Sequence, residues 1–363
     1  MIMMSKTHAH HHEAQPPPPK VRDLTVDQSA LDHATRLIHR ICCLAGEPDL
    51  IDEIQTDHRA IRSAIKNHDT APLFDWLMVA LSHQGISDRV AHDYMDQHGC
   101  VTWREVESAL ANKPSCPKLQ SYWNFHGCGY HKTSGTCAEP DHIAHCPLPT
   151  HTLRNGRLNQ TAYSLYLFIR DITDNDLVGW IETQLTSAAT PTDPGRRARM
   201  HDALLDPLRH VYGVSDKVLS MALSVLFLAA PKNMRLWAEV GVGMVAIDTL
   251  VHNFLVRTGI LRRFNAGHPY GPGCYEANGC ADIIQCVADQ IDAREFNPQF
   301  PKTFPRFVQH AIWRYCAENG LDVCNGNRIN DDARCDNIYC QVRPVCDRVA
   351  LRSNVKLLGR VIS

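Results

Sequence analysis

Four cysteines near the C-terminus, Cys324, Cys335, Cys340 and Cys346, follow the pattern C-x10-C-x4-C-x5-C. Thiolates gathered in so short a stretch suit an iron–sulfur cluster or a zinc ion. A second set comprises Cys116, Cys128, Cys137 and Cys146, the last three spaced C-x8-C-x8-C, with His131, His142 and His145 interleaved. Three or four thiolates with optional imidazoles fit a tetrahedral zinc site or a second cluster. The glycine after Cys128 and the proline after Cys146 suit tight ligand loops. A third group, Cys274, Cys280 and Cys286, has x5 spacings. These put Cys280 and Cys286 on poorly matched faces of a helix, so the group reads as packing cysteines.

Two charged side chains stand out against apolar surroundings. Asp248 begins the greasy helical stretch "DTLVHNFLVRTGI", where an aspartate serves well as a helix N-cap. Lys217 lies in the first turn of the apolar helix that follows the short turn holding Gly213 and Ser215. A glycine turn entering a helix presents backbone N–H groups and the positive end of a helix dipole, which together suit a phosphate. Basic residues cluster nearby in sequence: Arg196, Arg197 and Arg199 in "GRRARMHD", Arg154 and Arg157 in "LRNGRLNQ", then Arg262 and Arg263. Such runs usually form solvated faces; beside a phosphate-binding turn they could instead attract a phosphate backbone.

The elements that position these residues read as helices. The 363-residue chain is 44% hydrophobic and 21% charged, ordinary for a globular protein. Its formal net charge of -2 excludes a globally basic nucleic-acid binder, so DNA binding needs a local basic face. No apolar run reaches membrane-spanning length, and no signal peptide is read at the N-terminus. With 15 cysteines and no secretion signal, a reducing, cytoplasmic compartment is expected, where clustered cysteines bind metal more often than they form disulfides. Residues 1–22, His-rich and then Pro-rich, read as a disordered tail. Apolar residues at three- and four-residue spacing mark helices in 23–71, 72–113 and 161–264, while 114–160 reads as a Cys/His-rich, loop-rich insertion. "TSAATPTDPGRRARMHD" reads as a polar lead into the next helix, and 265–363 as a C-terminal lobe. Strand-like alternation is scarce and internal repeats are absent, so the fold class is all-α.

The order of these motifs resembles the helix-hairpin-helix DNA glycosylases of the endonuclease III superfamily. "YGVSDKVLSMALSVL" is similar to their L-P-G-V-G-x-K-T-A hairpin, and "AIDTLVHNFLVRTGI" to V-D-T-H-V-x-R-x-x-x-R-L-G. On this match Gly213 is the first hairpin glycine, Lys217 the nucleophile of bifunctional members and Asp248 the catalytic aspartate. Arg257 and Gly259 match the R-L-G end. "LFDWLMVALSHQGISDRVAHDY" resembles the early family helices, with Gln84 at the glutamine that fills the gap left in the duplex and Asp88 at the aspartate shortly after it. The C-terminal cysteines resemble the family's iron–sulfur loop, C-x6-C-x2-C-x5-C. The chain departs from the pattern at Ser215, at Asp216, and in an extra piece, "APKNMRLWAEVGVG", between Lys217 and Asp248. The 114–160 insertion has no counterpart in common members. Together the matching segments cover roughly half the chain.

The resemblance implies a six-helix barrel with a second helical lobe carrying the cysteine cluster, and N-terminal helices 23–71 that pack with that lobe. It implies a monomer that acts on double-stranded DNA containing a lesion or modified base, flips that base out and excises it, with or without an AP-lyase step. Gln84, Gly213, Ser215, Arg196 and Arg197 are its expected DNA contacts. Cys324, Cys335, Cys340 and Cys346 are expected to hold a [4Fe–4S] cluster, and Cys116, Cys128, Cys137 and Cys146 zinc or a second cluster. The competing expectation is a non-catalytic, metal-stabilised DNA-binding protein that keeps the fold.

Overall fold

A computed structural model of the chain describes residues 27–82, 88–130, 137–148, 157–190 and 195–352. Every regular element among them is a helix and none is a strand. The tail 1–22, Gln84, His131 and Arg154 lie outside the described residues. No described helix is long and apolar enough to cross a membrane.

Helix α1 (Gln28–Ala45) begins where the Asp27 carboxylate accepts a bond from the Ser29 amide at 2.9 Å. Its stripe of Ala34, Leu37, Ile38, Ile41 and Cys42 is buried, at the spacing that puts side chains on one helical face. After α2 (Leu50–Asp57), a first hydrophobic core gathers α3 (Arg59–Lys66), α4 (Thr70–Ser82), α6 (Trp103–Ala111), α7 (Tyr122–Phe125) and α8 (Arg157–Ile172), with α5 (Asp88–His98) following α4. The same core takes in α9 (Leu177–Ala188), α10 (Arg196–Leu208), α11 (Asp216–Ala229) and α12 (Arg235–Gly241). Helix α11 is apolar nearly all round and buries Val218, Leu219, Ala222, Leu223, Leu226 and Phe227, as a central helix must. Its last carbonyls accept bonds from Gln55 (3.3 Å, to Leu228) and the Arg62 guanidinium (3.1 Å, to Ala229), a cation at the negative end of the helix dipole.

A second core forms from α13 (Thr249–Arg257), α14 (Ile260–Arg263), α15 (Cys280–Asp289) and α16 (Pro305–Cys316), together with α1 from the other end of the described chain. The Arg314 guanidinium locks α16 to the turn after α1 by an ion pair with Glu47 at 2.5 Å. The chain thus begins one lobe, builds the other, and returns to finish the first.

Two stretches gain definition in the structure. The polar lead is shorter than its reading in the sequence: Arg196 already opens α10, and Pro207 is accommodated in its last turn, where α10 is ending. The extra piece before Asp248 is α12, which folds back against α11 so that Trp237 packs edge-on to Phe227, ring centroids 5.1 Å apart. Trp237 is almost fully buried. Trp237→Ala should therefore cost about 3–5 kcal/mol in urea-unfolding free energy. A loss below about 1 kcal/mol would mean that α12 is an appendage outside the core.

Candidate functional site

Asp248 is the N-cap of α13, its carboxylate accepting from the Val251 amide at 2.9 Å. The N-cap reading is thus satisfied, yet the carboxyl is also largely buried. Burial raises its pKa above the ordinary aspartate value, and the cap bonds and the Lys217 ammonium only partly oppose that rise. Lys217, half-buried in the first turn of α11, therefore lies within the electrostatic reach of Asp248. Helix α12 turns the intervening chain back on itself, which is how 30 residues of separation close to one site.

Three further side chains surround the acid. The Tyr275 hydroxyl accepts from the Ile247 amide at 2.7 Å, fixing the residue before Asp248. Tyr270 lies close enough to Asp248 for that carboxylate to help hold its hydroxyl protonated, behind the larger effect of burial. Arg306 is half-buried, and desolvation of its guanidinium pushes its pKa down to about 10, with Tyr275 and Asp248 opposing the fall. Its guanidinium bonds to Gln309, while its Nε has no partner.

Beside this group a cleft of about 500 Å³ opens between the lobes. Its walls include Ser220, one turn after Lys217, and Val245, three residues before Asp248, with Arg196, Arg197 and Tyr275. Arg196 pairs with Glu239 at 3.1 Å, and both arginines keep a buried Nε without a partner. In the turn between α10 and α11, Gly213 is exposed at φ 74°. Ser215 is the N-cap of α11 but makes no side-chain cap bond. Asp216 is taken up by Arg209 at 2.6 Å, which offsets the negative charge it brings to that helix start.

The C-terminal cysteines Cys324, Cys335, Cys340 and Cys346 line one cavity with Phe254 and Arg257. Arg343 and Arg348 complete its basic wall, which suits the negative charge of a four-thiolate cluster. The loop is sewn to α13 and α14. Arg257 donates to the Cys324 carbonyl at 3.3 Å and pairs with Asp331, while Asp347 binds Arg262 and Arg263 at 2.7–3.0 Å. Gly259 makes that closure possible: at φ 82°, a side chain there would strain the backbone and meet the Asp347 carboxylate.

The second set is gathered too. Cys116 and Cys128 are buried, and burial raises the thiol pKa values of Cys128 and Cys146, with the charges of the neighbouring cysteines of the set adding to the rise. Helix α8 holds the lobe: Gln160 donates to the carbonyls of Cys128 (3.2 Å) and Tyr130 (2.9 Å), and Tyr163 to that of Pro147 (3.0 Å). His142 turns to Ser115 at 3.0 Å, and His145 is exposed. Cys128, Cys137, Cys146, Cys335 and Cys346 each accept a bond from the backbone N–H two residues on. Such bonds to sulfur stabilise thiolates, the form a metal binds.

A further donor group was not legible in the sequence. His252, His268, Cys274 and Cys280 bring one donor atom each to within 4.8 Å of one another, the only such group of His, Cys, Asp or Glu among the described residues. These four can hold a metal ion. Cys274 and Cys280, read from the sequence as packing cysteines, are buried in the second core and are also donors of this group. Cys274 sits on a 3-10 turn (Pro272–Cys274), whereas Cys280 opens α15, the helix that also carries Cys286. The pattern H-x15-H-x5-C-x5-C was the available signal. Cys286 does stay apart, its thiol pushed up to about 11 by burial.

The raised pKa of Asp248 has a consequence for stability. The folded chain holds this proton more tightly than the unfolded chain. The stability so gained is present at low pH and is lost as pH rises from the ordinary aspartate range through the raised folded value. Asp248→Asn keeps the cap and removes the buried charge. It should be at least as stable as the parent to urea at pH 7, with the advantage shrinking toward about pH 4. A loss of more than about 1 kcal/mol at pH 7 would mean that the Lys217 charge outweighs burial.

Comparison with family models, with curated proteins and with solved structures finds no match for this chain, so its function is read from the arrangement of these side chains.

Proposed function

We propose that the chain is a DNA glycosylase of the helix-hairpin-helix type, which turns a damaged or modified base out of duplex DNA and cleaves its N-glycosidic bond. The observation that carries this reading is the placement of Asp248, on the N-cap of α13, within electrostatic reach of Lys217, in the first turn of α11, with Val245 and Ser220 nearby in sequence lining a cleft between two helical lobes. A flipped nucleotide needs such a recess, its excision needs a carboxylate near the sugar, and the lyase form also needs an amine at C1′. In this reading α10, the Gly213 turn and α11 form the hairpin that meets a phosphate, and Arg196 and Arg197 draw the backbone to the cleft.

The carboxylate of Asp248 stabilises the positive charge that develops on the sugar as the bond to the base breaks, the electron pair leaving with the base. In the bifunctional form, Asp248 first takes a proton from the Lys217 ammonium. A raised pKa makes it a better acceptor for that proton than an ordinary aspartate. The neutral amine then bonds to C1′ as the base departs, and opening of the sugar ring leaves a Schiff base. Loss of a C2′ proton with cleavage of the C3′–O bond nicks the strand. A [4Fe–4S] cluster on Cys324, Cys335, Cys340 and Cys346 would fix that loop against α13. The four sulfurs lie more widely apart than the donors of the His252 group, which favours a cluster over a single ion.

Duplexes carrying oxidised pyrimidines, mispaired adenine or modified cytosines are the test. The parent should release a base from one of them. Asp248→Asn should abolish release, by at least about 100-fold, and keep duplex affinity. Lys217→Ala should remove borohydride trapping of a covalent adduct. Base release without any trapped adduct would make the enzyme monofunctional. Duplex binding by the parent with no release from any substrate would support the non-catalytic reading. Arg196→Ala and Arg197→Ala should each lower the slope of log affinity against log salt by about 1. A parent protein that is colourless and free of iron would overturn the cluster assignment.

A further inference from the structure

We propose that His252, His268, Cys274 and Cys280 bind a structural zinc ion that clamps the Gly-rich segment 266–280 under the first turns of α13. The proposal does not rest on the glycosylase reading. The four donors come from three places: α13, the segment itself, and the first residue of α15. His252 Nδ1 lies 3.4 Å from Cys280 Sγ and 3.5 Å from Cys274 Sγ, and His268 Nε2 lies 3.4 Å from Cys280 Sγ. Zinc bonds of about 2.3 Å to sulfur and about 2.0–2.1 Å to nitrogen, at tetrahedral angles, put neighbouring donors about 3.5 Å apart.

The tautomer of His268 is also set for a metal. Its Nδ1 lies 2.8 Å from the Ala266 carbonyl, which can only accept, so Nδ1 carries the proton. Nε2 is left with a lone pair aimed at the group, the arrangement second-shell carbonyls impose on metal-binding histidines. Cys274 and Cys280 are fully buried and His252 nearly so. Gly279 lets the two cysteine-bearing turns touch, since a Cβ there would fall 2.3 Å from the Gly273 carbonyl oxygen.

Two thiolates and two imidazoles are a donor set for zinc, and four protein ligands leave no position for water or substrate. The charges sum to zero: two positive from the ion, two negative from the thiolates, none from neutral histidines. The ion therefore braces the segment without adding net charge beside Asp248. What it braces is the wall of the cleft. Tyr275 follows Cys274 directly and holds the Ile247 amide, and Tyr270 packs on His252 with ring centroids 5.8 Å apart.

The test is elemental analysis of the full chain, parent against the double variant Cys274→Ser/Cys280→Ser. The double variant should carry one zinc fewer per chain and the same iron. Parent protein made in cobalt-supplemented medium should show the visible bands of tetrahedral cobalt with a thiolate charge-transfer band. In His268→Cys that charge-transfer intensity should rise by roughly half, as three thiolates replace two. A merely packing histidine would leave it unchanged, and this readout decides alone if the double variant does not fold. Equal zinc in parent and double variant, loss of iron rather than zinc, or recovery of Cys274 and Cys280 as a disulfide from freshly isolated protein would each overturn the proposal.

Discussion

The bond from the Val251 amide to the Asp248 carboxylate fixes the start of a helix only nine residues long, and every turn of that helix is committed. Val245, three residues before its cap, lines the cleft. His252, one turn on, reaches the donor group with Cys274 and Cys280. Phe254 and Arg257 face the C-terminal cysteines, and Arg257 also binds the loop that carries them. The geometry of three separate sites is thus referred to one rigid rod. A shift of α13 along its axis would disturb all three together, so the apolar contacts of Val251, Phe254 and Leu255 in the second core hold the geometry of all three as well as the stability.

On the proposed function, a structural role and a chemical one share the Asp248 side chain. A cap needs a short polar acceptor, and asparagine or serine would serve equally well. Only an acid can be made uncomfortable by burial. The capping bond and the Lys217 charge leave that discomfort partly uncompensated, a cost of the kind found where a fold keeps a group for its reactivity.

Much of the helical framework was legible because its residues obey a local rule. The stripe of α1, the cap and apolar face of α13 and the all-round apolarity of α11 are periodic signals that need no tertiary knowledge. The gathering of Cys324 to Cys346 and of Cys116 to Cys146 was legible for another reason: proximity in sequence bounds distance in space. His252 and His268 were not legible, because their meeting with Cys274 and Cys280 depends on how a Gly-rich segment folds back under α13. Arg306 was invisible likewise. It approaches Asp248 from α16, an element that neighbours α13 only through the second core. The polar run at Arg196 was misread since charge hides a helix whose buried face, Met200, Leu204 and Leu205, begins one turn later.

The packing of α1 into the lobe completed by α16 sets an order for synthesis on the ribosome. The apolar stripe of α1 emerges early but gains its partner on α16 only once residues 305–316 have been made. The intervening lobe, residues 61–244, holds a core of its own and can close first. Until the last helices arrive, Leu37, Ile38 and Ile41 remain open to water, so the nascent chain carries a sticky leading segment tethered to a finished lobe. In that interval the open stripe is exposed apolar surface of the kind that favours aggregation, and the arrival of α16 is what closes it.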